Sequence, residues 1–201
     1  MTYQMILIPI AAYLLGNFNS GIIFSWLLHK KDLRQLGSKN PGTTNAFRVL
    51  GRATGLLVLF FDALKGVAAV ALANWLLPGD QVWSCIAGFF VVLGHIFPVF
   101  FKFKGGKGVA TTAGVTFFLQ PMVLLFDLIP FFILLLGVKY MSVASIVSTM
   151  LMPVISLLWF RGVTPMFWLS LALWLFIVFT HRENIKRLLK HEENKLFQKK
   201  K

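Results

Sequence analysis

The chain has 201 residues, 57% of them hydrophobic and 15% aromatic but only 13% charged, where an ordinary soluble domain carries roughly 25%. With a mean hydropathy of +0.75, this excludes a soluble protein of one or two domains and leaves an integral membrane protein. The net charge of +13, from 20 Lys and Arg against 7 Asp and Glu, then reads as positive-inside bias and attraction to anionic lipid, not as affinity for nucleic acid.

Apolar runs separated by charged or Pro/Gly breaks occupy residues 5–28, 56–77, 82–101, Val109–Leu119, 122–138, 142–160 and Pro165–Thr180. The first contains Asn17, Asn19 and Ser20 and lacks a positive leader, so it reads as a retained span and not a cleaved signal peptide. Those polar residues are suited to interhelical hydrogen bonds, and Gly16 and Gly21 to close packing. In the second run Asp62 and Lys65, three residues apart, can neutralise each other inside a bundle. The third holds the lone cysteine, Cys85, which excludes an internal disulfide and is expected to pack, and ends near His95, expected to pack at the interface. The fourth has 11 residues, which at about 1.5 Å each reach only roughly 16 Å, half a bilayer. Asp127 lies in the fifth without an evident partner.

Parity settles the short run. Lys102, Lys104 and Lys107 precede it, Lys139 follows its successor, and the tail carries Arg182, Lys186, Arg187, Lys190, Lys195, Lys199, Lys200 and Lys201. A single crossing over residues 109–138 would put Lys139 and the tail opposite Lys102–Lys107, against the positive-inside rule. Two short crossings with a turn near Gln120 and Pro121 put every dense basic segment on one side. The expectation is an all-α polytopic protein of seven membrane helices, two of them short, with the N-terminus outside and the C-terminus cytoplasmic. Residues 1–201 form one integral membrane domain in this reading, with 182–201 as a basic cytoplasmic tail.

Three segments on the inner side carry chemistry. Residues 36–48 combine Gly turns, hydroxyls and amides with Lys39 and Arg48, a set able to wrap a phosphate, although a polar loop with a helix cap at Thr43 or Thr44 has the same composition. In residues 101–112, Gly105, Gly106 and Gly108 flank Lys107 before a helix start, where free N–H groups and the positive dipole end favour an anion. This is not a phosphate-binding Walker loop, because Phe101 and Gly108 stand where that motif needs Gly and Ser or Thr. In residues 181–187, His181 and Asn184 share a helix face, and Glu183 and Arg187 are spaced for an i,i+4 pair. No His, Cys or Glu cluster has metal spacing, so neither metal nor cofactor is expected. Gly-rich backbone, cations and amides at one membrane face equip the chain to hold phosphate beside an apolar, lipid-lined space. The alternative from another class is a transporter of a phosphate-bearing anion or lipid, whose broken helices short paired ones would resemble.

The motifs themselves resemble a family. Gly37-Ser38-x-Asn40-x-Gly42-x-Thr44-Asn45-x-x-Arg48, Gly94-His95-x-Phe97-Pro98 leading to Lys104-Gly105-Gly106-Lys107-Gly108-Val109-Ala110-Thr111, and His181-Arg182-x-Asn184-Ile185-x-Arg187-Leu188 are similar to the bacterial acyl phosphate:glycerol-3-phosphate acyltransferases of the PlsY type. Asp62-x-x-Lys65-Gly66 and Tyr140-x-Ser142-x-x-Ser145 also match. Thr43 stands where Ala is common, and His191 where Gly is expected, which bears on a local turn and not on the chemistry.

The resemblance implies acyl transfer from acyl phosphate to the 1-hydroxyl of glycerol 3-phosphate, giving lysophosphatidic acid and phosphate and opening phospholipid synthesis at the bacterial inner membrane, the active site facing the cytoplasm. It assigns Ser38, Arg48, Lys107, His181 and Asn184 to glycerol 3-phosphate. Thr44, Asn45, Gly105, Gly106, Gly108, Thr111 and Ser142 would hold acyl phosphate. The implied partners are these two substrates, membrane lipids and an enzyme that supplies acyl phosphate. None of the four histidines has Asp five residues on, so the substrate's own phosphate is the expected proton acceptor.

Overall fold

A computed structural model of the chain describes residues 3–196. Lys199, Lys200 and Lys201, which the sequence reading placed in the basic tail, lie outside the described residues. The described residues are helical and contain no strand. The helices are α1 Tyr3–Gly16, α2 Ser20–His29, α3 Thr43–Leu50, α4 Arg52–Leu76, α5 Gln81–Ile96, α6 Val109–Leu119, α7 Pro121–Val138, α8 Met141–Trp159, α9 Pro165–Thr180 and α10 Arg182–Leu189.

Five segments are long and apolar enough to cross a membrane: Tyr3–His29, Arg52–Leu76, Gln81–Phe101, Pro121–Val138 and Met141–Trp159. A sixth is formed if α9 and α10, bent by 56° at His181, count as one. α6 is the short apolar helix that the sequence reading expected, with the same bounds. Large apolar side chains such as Phe60, Trp75, Ile133, Leu136 and Leu158 are exposed. Apolar exposure on this scale belongs against hydrocarbon, since soluble proteins rarely present such patches.

The chain forms two compact units, one up to Leu119 and one from Gln120 onward. In the first, α1 packs on α5, while α4 packs on α3, α5 and α6. The run read as one uninterrupted first span is broken at residues 17–19. There the Asn17 amide bonds Tyr13 O at 2.7 Å, and Asn19 Oδ1 caps α2 by accepting from Ile22 N at 3.1 Å. These two asparagines therefore act locally, and only Ser20 reaches across helices, donating to Val58 O at 3.2 Å. Contact of α4 with α6 is backbone on backbone: a methyl on Gly66 would strike Thr111 O, and one on Gly114 would strike Ala63 O. Small residues allow this approach, which fixes α6 and the loop that leads into it.

In the second unit α8 lies between α7 and α9, and α10 packs on α9. Beside Ala144, Met152 and Pro153, the buried residues of α8 include Ser142, Ser145, Ser148, Thr149 and Ser156. The Ser145 and Thr149 hydroxyls bond back to their own helix, so they need no partner in the apolar surroundings. Asp127, without a partner at the sequence level, faces the Ser148 hydroxyl across the α7–α8 contact.

Candidate active site

In the first unit, the loop between α2 and α3 is organised by Asn45. Its side chain is buried, and its amide nitrogen donates to Leu33 O (3.2 Å), Leu36 O (2.9 Å) and Asn40 O (3.0 Å). Its Oδ1 accepts from Ser38 N at 2.9 Å. The amide expected to touch acyl phosphate is thus engaged with the loop's own backbone, and its effect is to present Ser38, which is exposed. Thr44 and Arg48 are half-buried on α3, one turn apart.

Asp32 and Arg34 tie this loop to the glycine segment. Arg34 Nε and Nη2 donate to the Asp32 carboxylate at 2.8–3.1 Å, and Nη1 donates to Phe101 O at 3.3 Å. The hydrogen bonds from Arg34 hold the Asp32 carboxyl below its ordinary range. Beyond Phe101 the chain turns through Lys102 and Phe103, both left-handed at φ 57°, and runs back against the end of α5. There Gly105 N donates to Ile96 O at 3.2 Å and Gly106 N to His95 O at 3.1 Å. The backbone donors of Gly105 and Gly106, expected on the anion, are therefore spent on α5. Gly108, at φ 89°, turns the chain into α6. The Thr111 and Thr112 hydroxyls in the first turn of α6 are buried, without a hydrogen-bond partner among the described residues. Lys107 is half-buried, and both it and Arg48 make interactions in the folded chain.

Beneath this segment lies a buried charge cluster. Lys65 Nζ is 2.8 Å from Asp62 Oδ1, 2.7 Å from His95 Nδ1 and 2.8 Å from Phe18 O. The pair expected from the sequence is present, but His95 is part of it and not an interfacial packing residue. Its burial at 3% exposure becomes tolerable because Lys65 satisfies its Nδ1.

In the second unit, His181 sits at the bend between α9 and α10. Its Nδ1 lies 2.8 Å from Ile177 O, and a carbonyl only accepts, so this nitrogen carries the proton. Asn184 is buried and donates from Nδ2 to Glu193 Oε1 at 2.7 Å. The same oxygen accepts from Ser142 Oγ at 3.3 Å, and Oε2 from Arg187 Nε at 2.7 Å. The structure thus joins Ser142 and Asn184 through Glu193, a residue that the motif reading passed over. Its only signal was an acidic residue in a basic tail. Glu183, expected to pair with Arg187, pairs instead with Lys186 at 3.1 Å on the exposed face. Arg187 turns away because Glu193, 6% exposed, is the carboxylate in greater need of a counter-charge. The segment after α10 folds onto the start of α8, with Leu196 N donating to Lys139 O at 2.8 Å. His191 makes the turn at φ 57°, so the residue standing in place of Gly adopts the conformation that Gly would.

A family model described as glycerol-3-phosphate acyltransferase matches residues 6–191. The chain belongs to that family. Glycerol-3-phosphate acyltransferases from two Staphylococcus aureus strains, bovine RF122 / ET3-1 and JH9, are each 41% identical over 200 residues, covering 96% of this chain and 98% of theirs. Two crystal structures of PlsY, an integral membrane glycerol 3-phosphate acyltransferase, superpose closely. The glycerol 3-phosphate form gives a TM-score of 0.89 at 38% identity, covering 96% of this chain and 99% of that one. The lysophosphatidic acid form gives 0.86 at 37%, covering 95% and 94%. No group of His, Cys, Asp or Glu suited to a metal occurs among the described residues.

Proposed function

We propose that this acyltransferase moves an acyl group from acyl phosphate to the 1-hydroxyl of glycerol 3-phosphate, releasing lysophosphatidic acid and phosphate. The observation that carries the reading is the segment at residues 104–111, anchored on α5 and delivering Lys107 to the start of α6, in a family with solved relatives in glycerol 3-phosphate and lysophosphatidic acid forms. Ser38, Arg48, Lys107, His181 and Asn184 bind glycerol 3-phosphate. Gly108, Thr111, Thr44 and Ser142 bind acyl phosphate, with Asn45, Gly105 and Gly106 shaping the loops around it.

In the reaction the 1-hydroxyl oxygen bonds to the acyl carbonyl carbon, and the bond from that carbon to the phosphate oxygen breaks. Lys107 stabilises the oxyanion between these events. The hydroxyl proton leaves with the phosphate, which is already a base and an activated leaving group, so positioning supplies most of the rate. His95 is not a base, because its Nδ1 accepts from Lys65 and its other nitrogen holds the ring proton.

The same reading places the protein in the bacterial inner membrane as a single acyltransferase domain with seven spans. The N-terminus is outside, and the active site and basic tail face the cytoplasm. The 11-residue α6 before α7 supports that parity, and a reporter on the C-terminus that registers an outside location contradicts it. For the activity, purified protein is given acyl phosphate and glycerol 3-phosphate without metal or coenzyme A. Phosphate release that requires glycerol 3-phosphate, and is lost in Lys107→Ala, is expected; release independent of either overturns the assignment.

A further inference from the structure

Two backbone hydrogen bonds hold Gly105 and Gly106 on the last turn of α5, and the side chain beneath them is His95. A methyl on Gly106 would collide with His95 Nε2 and lie 2.6 Å from Cε1 and 3.2 Å from Cδ2, while one on Gly105 would collide with His95 O. The imidazole is therefore the floor on which the glycine segment rests. That ring is fixed from its other side by Lys65, which stands 2.7 Å from Nδ1. The Lys65 ammonium donates to His95 Nδ1, forms an ion pair with Asp62 Oδ1 at 2.8 Å, and donates to Phe18 O. The Phe18 acceptor exists because the first span is broken at residues 17–19, which takes Phe18 out of helix. Held by two hydrogen bonds and an ion pair, with Asp62 and His95 both buried, Lys65 holds the ring in one position.

We propose that His95 is a positioning residue for the reaction. Clamped by Lys65, its imidazole sets the height of Gly106 and so the direction in which Lys107 and the following backbone N–H groups meet the substrate phosphate. The proposal rests on the reading that this segment binds acyl phosphate.

The test compares wild type, His95→Asn, Gly106→Ala and the double variant, each assayed for phosphate release from acyl phosphate and each melted in detergent. Asparagine keeps an acceptor near the Nδ1 position for Lys65 but lacks Nε2 and Cε1, the two ring atoms nearest the added methyl. His95→Asn is expected to fold, to keep kcat, and to raise the KM for acyl phosphate about tenfold through loss of the floor. Gly106→Ala is expected to lose about a hundredfold in kcat/KM from a displacement on the order of 1 Å. Adding His95→Asn to it should restore about tenfold, with a smaller loss of Tm than the sum of the two single losses. A double variant no more active than Gly106→Ala, with additive Tm losses, overturns the proposal. So does a His95→Asn protein that does not fold, because the amide then fails to replace Nδ1 as the acceptor. A wild type inactive on acyl phosphate defeats the functional reading alone, since the Tm coupling between positions 95 and 106 is read without turnover.

Discussion

Glu193→Ala should do more damage than its place in a short C-terminal segment suggests. The carboxylate accepts from Asn184 Nδ2 and Arg187 Nε, both at 2.7 Å, and from Ser142 Oγ at 3.3 Å. Hydrogen bonds to a charged group contribute about 1.5–3 kcal/mol each. Arg187 is 34% exposed, so its share is reduced toward about 1 kcal/mol by solvent screening. The Asn184 bond adds about 2 kcal/mol and the longer Ser142 bond a few tenths, about 3 kcal/mol in all. For a chain of this size that lowers Tm by about 6–12 °C. Because Ser142 and Asn184 lose their shared anchor, the KM for acyl phosphate and for glycerol 3-phosphate should each rise about tenfold. Glu193→Gln keeps an acceptor for Asn184 and Ser142 but turns a donor toward Arg187, and should fall roughly halfway. Thermal unfolding in detergent and steady-state phosphate release measure both effects. A Glu193→Ala protein with wild-type Tm and kcat/KM would refute this account of the segment.

Three further outcomes follow from other parts of the fold. Lys65→Met leaves the Asp62 carboxylate buried without its counter-charge and should cost about 3–5 kcal/mol by thermal unfolding, most of it recovered when Asp62→Asn is added. His191→Gly should raise stability by about 1 kcal/mol, because the histidine sits at φ 57° where only glycine is free of steric cost. The Asp32 carboxyl has a folded pKa below its unfolded value, so its stabilisation is complete above about pH 4 and is lost as the pH falls through the folded value. Asp32→Asn should cost about 0.5–1 kcal/mol at neutral pH and flatten stability against pH in the acid range.

Helix positions were largely legible because apolar periodicity and length decide them: α6 and α9 have the expected bounds. The break at residues 17–19 was not, since Asn17 and Asn19 sit in a run whose hydropathy alone supports a continuous span. The Phe18 carbonyl that the break frees is taken by Lys65, 47 residues away, a contact with no local signal. Site motifs were legible as glycines, hydroxyls and cations near helix starts, but composition does not separate a ligand from a brace. Asn45, Gly105 and Gly106 were read as ligands, yet their polar groups are used by neighbouring backbone. His95 and Glu193 lie 30 residues from Lys65 and 51 from Ser142, separations that carry no periodic signal. The Glu183–Arg187 spacing was a valid helical pair that lost to a buried competitor, a choice that only packing reveals.

The identity of the acyl donor is the central claim, and a comparison of donors on one preparation tests it most directly. Purified protein is incubated with labelled glycerol 3-phosphate and, in turn, the same acyl chain as acyl phosphate, acyl-coenzyme A and acyl carrier protein, and lysophosphatidic acid is measured. Product from acyl phosphate alone, matched one for one by released phosphate, is the expected result. Product from either thioester at a comparable rate, or none from acyl phosphate, would contradict the account.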